Sequence, residues 1–86
     1  MQTAKLIGCI RAFIEERFPL ARKREMSDEV HLLESGILDS LGVLDVVTFM
    51  EQEFGIIVAD EELVPENFQS MSAMARFVEQ KQSQSN

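Results

Sequence analysis

The 86-residue chain has no tryptophan, no tyrosine, one cysteine (Cys9), one histidine (His31) and two prolines. Each scarcity excludes something. A single cysteine leaves no intramolecular disulfide. One cysteine and one histidine do not make a zinc set, and no D-x-D-x-D-G loop is present for calcium, so no metal site is expected. Phosphate-cradling glycine loops are also missing. A reactive serine would have only His31 as its base, and a lone histidine more often serves at the surface or in packing. No catalytic residue is therefore assigned. No apolar run reaches the roughly 20 residues that span a bilayer, and no secretory leader is recognisable. The expectation is a soluble cytoplasmic monomer without membrane insertion.

Basic charge is scarce over most of the chain. Eight Lys/Arg face fifteen Asp/Glu, for a net charge of -7. Residues 1–24 hold six of the basic residues and a net charge of +4, whereas residues 25–86 carry -11. Phosphate binding needs clustered Lys and Arg, so nucleic acid is an unsuitable partner. The larger, acidic part favours basic protein partners. Of the residues, 45% are hydrophobic. A chain this short buries only about 60 to 65% of its unfolded surface, which suits a compact helical domain better than a roomy active site. One domain over residues 1–80 is expected, followed by a polar, frayed tail at 81–86.

Between Thr3 and Phe18, Leu6, Ile7, Cys9, Ile10, Phe13 and Ile14 fall on one side of a helix, with Cys9 at the edge of the stripe as a packed thiol. Pro19 ends this helix. A long connection follows, opening with the basic run Arg22-Lys23-Arg24 and reaching Asp39. Val30, Leu32 and Leu33 pin it to a core, and Ser35-Gly36 reads as a turn. Asp39 or Ser40 caps a second helix that runs to Phe54 and stops at Gly55. Val43, Val46, Val47, Met50 and Phe54 form its core face. Its opposite face carries Asp45, Thr48 and Gln52, with Glu51 and Glu53 at the flanks, and also Leu41, an apolar residue where a polar one is expected. Asp60 to Val64 predicts a short helix ended by Pro65, and Ser70 caps a last helix with Met71, Met74, Ala75 and Val78 on one face. The fold class is all-α: a small bundle of three longer helices plus one short helix, with a long connection between the first two.

Gly36-Ile37-Leu38-Asp39-Ser40-Leu41 leaves two roles open for Ser40. Asp-Ser before an amphipathic helix is commonly a cap. The start of a helix also favours an anion, which suits a phosphodiester on the serine oxygen.

The six residues resemble the G-x-x-D-S-L signature of acyl carrier proteins and the related peptidyl and aminoacyl carrier domains. The resemblance extends over nearly the whole chain, through the helix order, Phe54 at the end of the second helix, the Asp60-Glu61-Glu62 turn and the final helix. It implies that a separate phosphopantetheinyl transferase attaches 4'-phosphopantetheine to Ser40, flanked by Asp39 and Leu41. The chain would then carry acyl intermediates as thioesters to biosynthetic enzymes, as a carrier and not a catalyst. An aminoacyl or peptidyl cargo on the same arm is the alternative, and a helical protein-interaction module is the alternative of another class. The resemblance further implies that the second helix is the docking surface for the transferase, the loading enzymes and the downstream enzymes. Leu41 would anchor partners there, with Asp45, Thr48, Glu51 and Glu53 around it.

Two departures stand out. Fatty-acid carriers commonly have an acidic residue two positions after the modified serine and Met eight positions after it; here these are Gly42 and Thr48. With Pro65-Glu66-Asn67-Phe68-Gln69-Ser70, which is more similar to specialised carriers, this points to a dedicated polyketide, lipid or peptide pathway over housekeeping fatty-acid synthesis. Met1 and the polar ending favour a free-standing carrier. Val47, Ile56, Leu63, Phe68 and Met74 are either ordinary core, the commoner role, or the wall of a cleft for an acyl chain.

Overall fold

The computed structural model describes residues 2–18, 21 and 27–84. Among the described residues the helical elements of four residues or more are α1 (Gln2–Arg17), α2 (Ser40–Phe54), α3 (Pro65–Phe68) and α4 (Met71–Gln84), with a 3-10 turn at Asp60–Glu62. No strand occurs among the described residues. The architecture is the expected all-α bundle of three longer helices and one short one.

In α1, Leu6, Ile10 and Ile14 recur every fourth position and are buried. That spacing keeps them on one stripe, which packs along α4. Cys9 lies about 100° around the helix from Ile10 and is exposed, which corrects its expected place as a packed thiol. The Phe18 N–H still reaches the Ile14 carbonyl at 2.8 Å. The run Arg22-Lys23-Arg24 lies outside the described residues.

From Ser27 to Asp39 the chain has no regular element, yet its backbone groups are partnered. The Leu32 N–H donates to Gln69 O (2.7 Å), Leu38 N–H to Leu32 O (3.0 Å) and Ser72 N–H to Asp28 O (3.0 Å). An Arg11–Asp28 ion pair of 2.7 Å adds a tie to α1. Leu32, Ile37 and Leu38 are buried. Gly36 makes the reversal between them with φ +81°, a conformation in which a Cβ would be strained.

Gly55 ends α2 in the left-handed conformation, φ 68°, its N–H bonded to Glu51 O. Phe13 of α1 stacks on Phe49 of α2 with centroids 4.3 Å apart. Phe68 of α3 meets Phe77 of α4 at 5.6 Å. Fully burying a side chain of this size contributes about 1.5–3 kcal/mol, so Phe68, with Met50, Met71 and Met74, carries much of the core.

The fourth helix expected at Asp60 to Val64 requires correction. Residues 60–62 form only the 3-10 turn, and Pro65 begins the short helix instead of ending one. Proline is suited to the first helical position, because its missing N–H would have no intrahelical acceptor there. The last helix runs through Gln84, into the stretch whose composition suggested a tail. Lys81 anchors it, its ammonium 2.9 and 3.1 Å from the Glu62 carboxylate oxygens.

Candidate functional site

Asp39, not Ser40, is the N-cap of α2. Its backbone is extended and its carboxylate accepts the Gly42 N–H at 2.7 Å. Ser40 is thus the first helical residue. Immediately upstream, Ile37 and Leu38 are sunk in the core. The chain emerges from the interior as the helix begins, and Asp39, Ser40 and Leu41 are left exposed.

Gly42 explains itself in this geometry. A Cβ there would lie 2.9 Å from Leu38 Cδ1 and 3.0 Å from Phe18 Cε1. The Phe18 ring thus covers the position two after Ser40, where an acidic side chain was the familiar choice. A side chain at this position would have to push Leu38 and the Phe18 ring aside.

Two chemical features meet at Ser40. Amide groups in the first turn of a helix lack intrahelical acceptors, and with the helix dipole they favour negative charge. Beside the hydroxyl, an apolar cavity of about 420 Å³ opens between α2 and α3, walled by Leu33, Val43, Leu44, Leu63, Val64, Pro65 and Phe68. Of the five residues weighed as a cleft, only Leu63 and Phe68 line it. Ile56 and Met74 are buried in the core, and Val47 packs against it.

The remaining candidates on α2 are distributed unevenly. Leu41 is 75% exposed. Leu44, 52% exposed, was not singled out from sequence, although its i+3 spacing from Leu41 places both on one side. Asp45 pairs with Arg17 at 3.2 Å. Thr48 Oγ1 donates to the Leu44 carbonyl at 3.1 Å. One Glu51 oxygen accepts the Val58 N–H at 3.0 Å and so ties α2 to the following loop. Glu53 belongs to another side, a groove shared with Cys9, Phe13, Glu16 and Phe49. His31 is exposed, its Nδ1 2.7 Å from Glu34 Oε2. Its partner is a local carboxylate and not the serine.

Among the described residues, His31 is held by Glu34 and not by Ser40, whose side chain is presented to solvent. An exposed primary hydroxyl at a helix start, with anion-favouring amides beneath it and an apolar cavity beside it, fits a site where a phosphodiester-linked arm is attached. Residues 5–78 match the family described as "Phosphopantetheine attachment site", and the chain belongs to that family. Its prosthetic group is a covalently attached 4'-phosphopantetheine. Members are generally carriers and not catalysts.

Two relatives are similar along most of their length. The "Aminoacyl carrier protein 2" of Bradyrhizobium diazoefficiens is 28% identical over 74 residues, covering 86% of this chain and 79% of the relative. The "Probable acyl carrier protein PigG" of a Serratia species is 29% identical over 79 residues, covering 92% of this chain and 86% of the relative.

Proposed function

We propose that Ser40 carries the phosphopantetheine and that the protein is a carrier of acyl intermediates, bound as thioesters, in a dedicated biosynthetic pathway. The observation that carries this reading is the exposed Ser40 at the first turn of α2, held out by the buried Ile37-Leu38 anchor. A phosphopantetheinyl transferase supplies the catalysis of attachment, with coenzyme A as donor. This chain's residues orient and present: Asp39 fixes the first turn, Leu38 and Phe18 seat Gly42, and the amides favour the phosphodiester charge. The work takes place in the cytoplasm, with the carrier as a monomer. Around the serine, α2 serves as the docking helix, with Leu41 as its anchor and Asp45, Thr48 and Glu51 about it, whereas Glu53 lies on another side.

The test is incubation with coenzyme A, magnesium and a broad-specificity transferase, followed by intact-mass measurement. The wild-type chain gains one phosphopantetheine and Ser40→Ala gains none. A wild-type chain that stays unmodified, or a Ser40→Ala chain that acquires the arm, overturns the assignment.

The name of the Bradyrhizobium relative favours a second reading, in which the cargo is an amino acid. The arm is unchanged and only the loading enzyme differs. Mild base hydrolysis of carrier purified from its host, with mass analysis of the released acid, separates the two. A fatty or polyketide acid supports the first reading and an amino acid the second. In either case, loading by a housekeeping fatty-acid transacylase is slow; loading as fast as that of the transacylase's own carrier would remove the case for a dedicated pathway.

A further inference from the structure

On the outer face of α2 the polar side chains near Ser40 are already engaged inside the chain, and the apolar ones are not. Asp45 Oδ2 accepts from Arg17 Nε and Nη2 at 3.3 and 3.2 Å. Thr48 is bonded back to its own helix, and Glu51 holds the loop at Val58. Two positions after Ser40, Phe18 occupies the space where a charge would project. By contrast, Leu41 and Leu44 stand 75% and 52% exposed one turn apart. Leu44 continues into the apolar wall beside the serine, with Leu63 and Val64, each 37% exposed.

We infer that Arg17 is a specificity-determining residue which, by pairing with Asp45, discriminates against partners that read α2 by positive charge and leaves the proposed docking there to apolar contact, with Leu44 added to Leu41. The inference rests on the assignment of the arm to Ser40 and of docking to α2. The partner it fits has a shallow apolar pocket with little charge at its centre. A charge of each sign held about 3 Å apart leaves a dipole, whose field fades faster than that of a lone carboxylate. Arg17 also repels an incoming Lys or Arg directly, which is how a repulsive element adds specificity. The pair is more than two-fifths exposed on both sides and contributes little to stability. Its effect lies in the approach of partners.

Attachment of the arm to the full chain is measured as kcat/KM between about 50 and about 500 mM salt, a range over which exposed charges pass from weakly to strongly screened. The wild-type value changes by less than about twofold. Leu41→Ala lowers it about tenfold at every salt concentration, the size expected for a centrally placed anchor. Arg17→Gln makes the reaction salt-dependent, with a rise of about two- to fivefold at low salt that vanishes at high salt. In an Asp45→Asn background the same Arg17 exchange gives a smaller low-salt rise, because it removes only the direct repulsion and unmasks no carboxylate; an equal rise in both backgrounds would show that Arg17 does not act through Asp45 and would overturn its role. Melting curves confirm that each variant is folded.

Steep loss of wild-type rate with salt, combined with a near-normal Leu41→Ala, overturns the inference while leaving Ser40 as the attachment site. Absence of the arm from the wild-type chain overturns both. The result expected from sedimentation is a monomer; a dimer abolished by Leu41→Ala would mean that a second copy covers the face, and would also overturn the inference.

Discussion

Helices α2 and α4 are almost equal in length, and the more apolar of the two is the less buried. Eight of the fifteen residues of α2 are Leu, Val, Phe or Met, yet only Gly42, Val46 and Met50 are buried. In α4 the apolar residues number six of fourteen, but every residue from Met71 to Val78 except Arg76 is buried. Small residues make the difference. Ser72, Ala73 and Ala75 let α4 sit among α1, α3 and the long connection, so that even Ser72 is enclosed. Helix α2 spends Leu41 and Leu44 on solvent. In the docking role proposed for α2, that apolar surface is what a partner covers.

The sharpest way to test this contrast is to remove the group that makes the α2 end matter. Ser40→Ala eliminates arm attachment entirely in the mass assay and leaves the melting curve within experimental spread, since the cap is Asp39 and the hydroxyl faces solvent. The second comparison sets a core exchange against a surface one. Phe68→Ala costs about 3–5 kcal/mol and Met74→Ala about 2–5 kcal/mol in urea denaturation. Leu41→Ala changes stability by no more than about 0.5 kcal/mol. A large stability loss at Leu41 would place that leucine in the core and remove its role as a handle.

A smaller effect is expected from restoring an acid two positions after the serine. Gly42→Asp must push aside the Phe18 ring and the buried Leu38, at a cost of about 1–3 kcal/mol. Adding Phe18→Ala relieves part of that cost if the ring is the obstacle. The smallest effect concerns the far end of the bundle. The Glu62 carboxyl is held below the usual carboxylate range, chiefly by the Ala59 N–H it accepts and then by Lys81. A depressed value in the folded state means that the unfolded chain binds its proton first. The contribution is therefore complete above the unfolded value of about 4.3 and is lost as pH falls through the lower folded value. Urea midpoints followed downward from pH 6 should fall more steeply for wild type than for Glu62→Gln only below about pH 4. Equal slopes there would show that the latch from the 3-10 turn to α4 is not formed in solution.

Much of the fold was legible because helical periodicity is a local property. Leu6, Ile10 and Ile14, the start of α2, the stop at Gly55 and the capping Ser70 are all decided within a turn or two of chain, and all are found. What misled was also local. Read from its sequence neighbours alone Pro65 is a stop, but proline both ends helices and begins them, and only the neighbouring elements decide which. Cys9 fell at the margin of a stripe whose width depends on what packs against it. At the site, Leu41 was identified from its isolation on a polar face. The engagement of Asp45 with Arg17, 28 positions earlier, has no sequence signal at all.

The sequence alone determined the helical class, the presence of a serine at a helix start and the family's motif around it. These follow from side-chain type and spacing along the chain, which act through the backbone nearby. Tertiary structure alone decided that Phe18 covers Gly42, that Arg17 pairs with Asp45, and that Leu44 joins Leu63 and Val64 in an apolar wall beside Ser40. Each of these brings together residues far apart in the chain. Their meeting is set by how the elements pack, which no window of sequence contains.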